Sequence, residues 1–223
     1  ILAGHGGSAN LQADTAFLTN ISDATSGSIV RVRSTPIGSP PANPRNRENR
    51  NMTSSALEKL FSLDSQVGVV IGGTGVLGGS FCDTLASAGA TVVVAGRSKE
   101  RGEARVKAIE AAGGKACFME VDATCRESIT QLLAATLAEH GRCDMLINAA
   151  GVNSAAPYFE IDDADFQKII DTNLKSTHLG CQIFGQHMAT EGQGAILNIG
   201  SVSSHLPLSR VFTYSASKAA VLN

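Results

Sequence analysis

From Val67 onward, two hydrophobic patterns alternate along the chain. Short apolar runs stand at Val67–Ile71, Thr91–Ala95, Ala116–Val121, Met145–Asn148 and Ala195–Ile199. Their length and their content of β-branched residues predict buried strands. Between them lie longer stretches with apolar residues on one helical face: Leu77–Ala88 ended by Gly89, Arg101–Ala112 closed by Gly113-Gly114, and Glu127–His140. A further helix opens at Asp162 and Asp163 and runs toward Met188, and another begins at Tyr214. Strands that alternate with helices of this length pair in parallel, because each crossover carries the chain back to the same end of the sheet. The prediction is an α/β fold with a doubly wound parallel sheet and helices on both faces.

The first 51 residues follow neither period. Pro36, Pro40, Pro41 and Pro44 fall here with Arg31, Arg33, Arg45, Arg47 and Arg50, and Phe17 is the one aromatic. Such a stretch buries too little apolar surface to offset the entropy of ordering it. Residues 1–51 are therefore expected to be a disordered or non-native extension, and residues 52–223 the folded α/β domain. Met52 opens a helix-like segment and is read as the authentic start. A second reading of the extension is a basic tail that binds an acidic partner.

Composition narrows the function classes. Hydrophobic residues make up 43% of the 223, enough for a core, and the formal net charge of −2 gives no electrostatic case for nucleic acid or a membrane surface. No apolar run reaches the roughly 18 residues of a membrane span. Cys82, Cys117, Cys125, Cys143 and Cys181 are odd in number and form no CxxC pair, which suits a reducing, cytoplasmic setting and inert thiols. His5, His140, His178, His187 and His205 show no ligand spacing, so no metal site is expected. His205 falls in the loop after Ser201, on the side where a substrate would lie.

Gly73-Thr74-Gly75-Val76-Leu77-Gly78, with Gly72 before it, is a glycine-rich turn that follows a strand and opens a helix. Glycines allow a tight turn and close approach to a pyrophosphate, and the helix N-terminus offers free N–H groups to it. The second strand ends in Ala95-Gly96-Arg97, with an arginine and no acid. An acid there accepts hydrogen bonds from the ribose of NAD, whereas a guanidinium pairs with the 2′-phosphate of NADP. NADP(H) is therefore the favoured cofactor and NAD(H) the alternative.

Tyr214-Ser-Ala-Ser-Lys218 places a phenol and an ammonium four residues apart, on one face of a helix. Ser201 stands thirteen positions before the tyrosine, and Asn173 lies further upstream. In this order, with the glycine turn and Asn148-Ala149-Ala-Gly151, these residues resemble the short-chain dehydrogenase/reductase family, from about Val67 to Asn223. The resemblance implies a Rossmann fold and hydride transfer between a nicotinamide cofactor and an alcohol or ketone. It implies catalytic roles for Asn173, Ser201, Tyr214 and Lys218. Cofactor contacts are implied at Gly72, Gly73, Thr74, Gly75, Val76, Leu77, Gly78, Arg97, Asp122, Ala123, Asn148, Ala149, Tyr214 and Lys218. Asp122 matches the residue that contacts the adenine, and Asn148 is as readily a strut of the sheet. Reduction of a carbonyl needs a proton for the developing alkoxide, and oxidation needs a base. The ammonium of Lys218 favours the phenolate of Tyr214, and Ser201 fixes the substrate oxygen.

The chain also departs from the family pattern. Ile71 stands where threonine is common, and Val76 stands where single-domain members have glycine. The stretch Pro207-Leu-Ser-Arg-Val211 before Tyr214 and the glycine turn look similar to mannonate oxidoreductases and fructuronate reductases, a pointer to sugars or sugar acids. Family domains continue past the catalytic helix, so the chain reads as C-terminally incomplete. It is expected to leave a sheet edge exposed and to turn over poorly by itself. A homo-oligomer is implied for the full-length protein. The competing reading is a non-catalytic dinucleotide-binding sensor or scaffold.

Overall fold

The computed structural model describes residues 18–23, 27–33, 60–206 and 208–223. Five strands form the parallel part of the sheet: β3 (Val67–Ile71), β4 (Thr91–Gly96), β5 (Lys115–Glu120), β6 (Met145–Asn148) and β7 (Gln193–Ile199). They run in the order β7-β6-β3-β4-β5, all parallel. Strand order reverses between β3 and β6. That reversal opens a crevice beyond the carboxyl ends of the strands, the usual ligand position in such sheets.

The helices are α1 (Val76–Ser87), α2 (Lys99–Ala111), α3 (Arg126–His140), α4 (Asp163–Ile170), α5 (Ser176–Thr190) and α6 (Phe212–Leu222). Strand alternation sends side chains to two faces. Val70, Val92, Val94 and Ile147 pack with Cys82 and Ala86 of α1 and Ile109 of α2. Val69, Ile71, Val93 and Leu146 pack with Ile129 and Leu132 of α3 and Leu179, Phe184 and Met188 of α5. The central strands are buried on both faces, which explains their unbroken apolar runs. These elements lie where the hydrophobic periods predict them, within one or two residues at each end.

Two differences from the sequence reading stand out. The helix from Asp163 toward Met188 is not uniform, because Asp171–Lys175 forms a π-turn between α4 and α5. The extension also holds two strands, β1 (Leu18–Asp23) and β2 (Gly27–Arg33), where residues 1–51 are expected to lack regular structure. They pair antiparallel with each other, and β2 pairs antiparallel with β7, from Gly27↔Ile199 to Arg33↔Gln193. The outer edge of β7 is thus covered rather than exposed. The physical reason is composition: β2 carries Ile29, Val30 and Val32, good strand formers, and an open edge offers a row of unpaired backbone groups. Met52, the four prolines and Arg45, Arg47 and Arg50 lie outside the described residues.

Candidate active site

Every predicted site residue sits at the carboxyl edge of the sheet or on the elements that follow it. The glycine turn leaves β3 with Gly72 at φ +91, a conformation that favours glycine. The N–H groups of Gly72 and Gly73 donate to the carbonyl of Ala95 at 2.9 and 3.0 Å, tying the turn to β4. A Cβ at Gly78 would stand against the Gly72 carbonyl oxygen, backbone that cannot yield. Gly75 caps α1 without any side-chain bond, and no acid stands in the first turn. The N–H groups there are left free for an anion, with the helix dipole behind them. Val76 is 90% exposed and Leu77 is 54% exposed. The β-branched residue in place of glycine therefore points into open space and does not block the turn.

At the end of β4, a Cβ on Gly96 would lie 2.5 Å from Thr74 Oγ1, so the glycine there makes room for the turn. Arg97 follows it and is exposed. Asp122 follows β5, and its Oδ1 accepts from the N–H and the hydroxyl of Thr124 at 2.9 and 2.8 Å. These bonds hold its carboxyl below the usual range, and the charges of Arg97 and Lys175 add to them. The ends of β4 and β5 thus present one cation and one anion beside the glycine turn, with Ala123 next to Asp122.

Asn148 behaves as a strut. It is 3% exposed, and its amide donates to Asn198 Oδ1 at 2.9 Å and to Cys181 Sγ at 3.6 Å. The bonds tie β6 to β7 and α5 beneath the crevice. Gly180 is needed for this, since a Cβ there would strike Asn148 Oδ1. Asn198, Cys181 and Gly180 were missed from the sequence because only their joint position in space gives them a role. Ala149 continues the strand's path, its N–H donating to Ile71 O at 2.8 Å.

The chemical residues converge from three elements. The π-turn buries Asn173 completely, and its Oδ1 accepts from Val152 N at 2.8 Å. Its Nδ2 donates to Val152 O and to Ser217 Oγ, each at 3.0 Å. Ser217 precedes Lys218, whose Nζ donates to Ile199 O at 2.6 Å, just ahead of Ser201. Nζ stands 6.0 Å from the centre of the Tyr214 ring. Ser201 is extended, and its Oγ accepts from Ser203 N at 3.1 Å, capping a short turn at Val202–Ser204 that packs on α6. That bond uses a lone pair and leaves the Ser201 O–H free to donate. His205 ends the same turn and is exposed.

Lys218 is 5% exposed, and burial lowers its ammonium pKa from the ordinary lysine value. A charge held here at a desolvation penalty marks a candidate functional group. The sign follows: with the folded pKa below the unfolded one, burial opposes folding at neutral pH, and the penalty fades as pH rises toward the ordinary lysine range. Lys218→Met is therefore expected to melt within a few degrees of the parent at pH 7, despite the lost bond to Ile199. Thermal denaturation followed by circular dichroism checks this. The cysteines fit the inert reading at two positions, where burial pushes the thiols of Cys82 and Cys143 up to about 12. Cys117 is raised to about 11, first by burial and then by the nearby Glu139 carboxylate.

This order of elements and site residues defines a class of protein, and comparison with known chains agrees. The family model described as short chain dehydrogenase matches residues 66–223. The chain belongs to that family. It is similar to the uncharacterized oxidoreductase UxuB of Bacillus subtilis (strain 168), 33% identical over 177 residues, covering 73% of this chain and 64% of the relative. It is also similar to gluconate 5-dehydrogenase of Gluconobacter oxydans (strain 621H), 34% identical over 164 residues, with coverages of 74% and 64%. The chain thus spans just under two thirds of these curated relatives. Among solved structures, a metagenomic short-chain oxidoreductase in complex with NADP superposes with a TM-score of 0.69 at 34% identity, covering 72% of this chain and 73% of that one. No helix among the described residues is long and apolar enough to cross a membrane.

Proposed function

We propose that the protein transfers hydride between NADP(H) and a small alcohol or ketone. The observation that carries this is the buried Lys218, held between Ile199 and the Asn173–Ser217 bond beside the Tyr214 ring. Core packing does not call for this set of polar groups. The residues present fit a dinucleotide: the uncapped start of α1 and its glycines suit a pyrophosphate, Arg97 a 2′-phosphate, and Asp122 an adenine amino group. A nicotinamide held there supplies or accepts the hydride.

The protein's own residues then handle the oxygen and the proton. The free O–H of Ser201 donates to the substrate oxygen and offsets the charge that develops on it. The Tyr214 hydroxyl gives its proton to that oxygen in reduction and takes one in oxidation. Lys218 has three N–H donors and uses one on Ile199. The other two remain for the phenolate side and a ribose hydroxyl. Both amide hydrogens of Asn173 are already engaged, so it acts as a positioning residue that fixes Val152 and the start of the Ser217–Lys218 segment. The relative named gluconate 5-dehydrogenase supports a polyol or sugar acid as the substrate class.

Titration with NADPH and NADH, read by fluorescence, tests the cofactor assignment. NADPH is expected to bind more tightly than NADH. Arg97→Asp is expected to weaken NADPH by about tenfold or more, the effect of losing a charge-assisted bond. Failure to bind either cofactor would overturn the enzyme reading, whereas binding without turnover of any alcohol or ketone would favour the scaffold. A panel of polyols, aldonates and uronates with NADP⁺ tests the substrate class, and turnover of none would remove it.

A further inference from the structure

Away from the crevice, three side chains that the proposed reaction does not use meet between an edge strand and a helix end. Cys117 lies on β5, and Glu139 and His140 are the last two residues of α3. One ligand atom from each falls within 4.8 Å of the other two. Cys117 Sγ is 3.4 Å from His140 Nε2, and Glu139 Oε1 is 3.8 Å from the same nitrogen.

The Cys117–His140 spacing is the one a tetrahedral ion requires, and the half-exposed Glu139 carboxylate needs only a small rotation to close on the same point. Zinc bound to a thiolate at ~2.3 Å and an imidazole at ~2.0 Å holds those two atoms about 3.5 Å apart. The donor set selects among cations: sulfur with imidazole suits zinc and its borderline neighbours, whereas magnesium and calcium take oxygen ligands. The scaffold is fixed. Cys117 pairs with Val93 in the sheet, and α3 ends at Gly141 in a left-handed turn at φ +74, which sets the direction of His140. The His140 side chain is 15% exposed, Glu139 about half exposed. His140 also borders an open cleft of about 500 Å³ that it shares with His187 and Glu191.

We propose that Cys117, Glu139 and His140 form a zinc-binding site that ties the edge strand β5 to the C-terminal end of α3. Three protein ligands leave a fourth position for water, and the site lies apart from Tyr214 and Lys218. The sequence did not reveal it because its ligands come from two elements 22 and 23 residues apart, with no short motif. Histidine spacing alone leads to the expectation of no metal site, and the proposed trio stands against it.

Cobalt is the direct probe, because a thiolate ligand gives a charge-transfer band that zinc does not. The whole chain, stripped with a chelator and dialysed, is titrated with Co²⁺ alone, and Zn²⁺ is then added to displace it. One equivalent of cobalt is expected to produce the band, and zinc to abolish it. Cys117→Ser is expected to lose the band, and His140→Gln to weaken binding by about 100-fold or more, with circular dichroism showing both variants folded. Cys125→Ser, which changes the thiol at the opposite end of α3, keeps the band. Zinc raises the melting temperature of the parent and not of either ligand variant. No saturable band, or a band that persists in Cys117→Ser, would overturn the site. If Cys117→Ser does not fold, retention of tight binding in His140→Gln overturns it equally.

Discussion

Tyr214→Phe is expected to lower turnover by about 10²- to 10⁴-fold, the range for loss of a positioned acid or base. The substitution removes one oxygen and keeps the ring. The part-buried ring lies beside Lys218 Nζ, and the backbone carbonyl of Tyr214 accepts the Ser217 hydroxyl at 2.7 Å, a bond the change leaves alone. The glycine turn and Arg97 belong to other elements, so NADPH affinity is expected to stay within about twofold of the parent, well under the tenfold that 1.4 kcal/mol represents. Steady-state kinetics beside a fluorescence titration separates the two effects. Equal falls in kcat and in kcat/KM, with binding intact, identify a group that acts in the transition state. Unchanged turnover would remove Tyr214 from the chemistry and with it the proposed mechanism.

How much of this was legible depends on whether each feature is local. The strands β3 to β7 follow from runs of apolar residues, and the helices from their periods, because burial on two faces writes itself directly into sequence. The glycine turn was equally readable, since Gly72 and Gly78 answer to backbone geometry within a few residues. Tyr214 and Lys218 share a helix face by spacing alone. The π-turn was not legible. It adds one residue to a helical turn, and that shift of phase buries Asn173, which helical periodicity leaves unresolved. The pairing of β2 with β7 and the Asn148–Asn198–Cys181 links also escaped, since each joins residues far apart in the chain. The Cys117–Glu139–His140 trio belongs with them. Features made by topology are visible only once the topology exists.

The π-turn leads to the second large effect, which falls on stability. Asn173 is fully buried, and its side chain satisfies both backbone groups of Val152 and the Ser217 hydroxyl. Asn173→Ala strips three hydrogen bonds at once and leaves a backbone N–H and C=O without partners. Each orphaned group costs about 1–3 kcal/mol where water cannot reach it. With Val152 only half-buried, a total near 3 kcal/mol is expected, and at roughly 2–4 °C per kcal/mol the melting temperature falls by about 6–12 °C. Asn173→Asp separates the two halves of the contribution. Its carboxylate keeps the acceptor for Val152 N–H but faces the Val152 carbonyl with a second acceptor, so it is expected to melt below the parent by at least as much as the alanine variant. Protonating that carboxylate at low pH restores a donor and narrows the gap. If Asn173→Ala melts with the parent, the side chain is not what holds Val152 to α6, and the placement of Lys218 then rests on its own bond to Ile199.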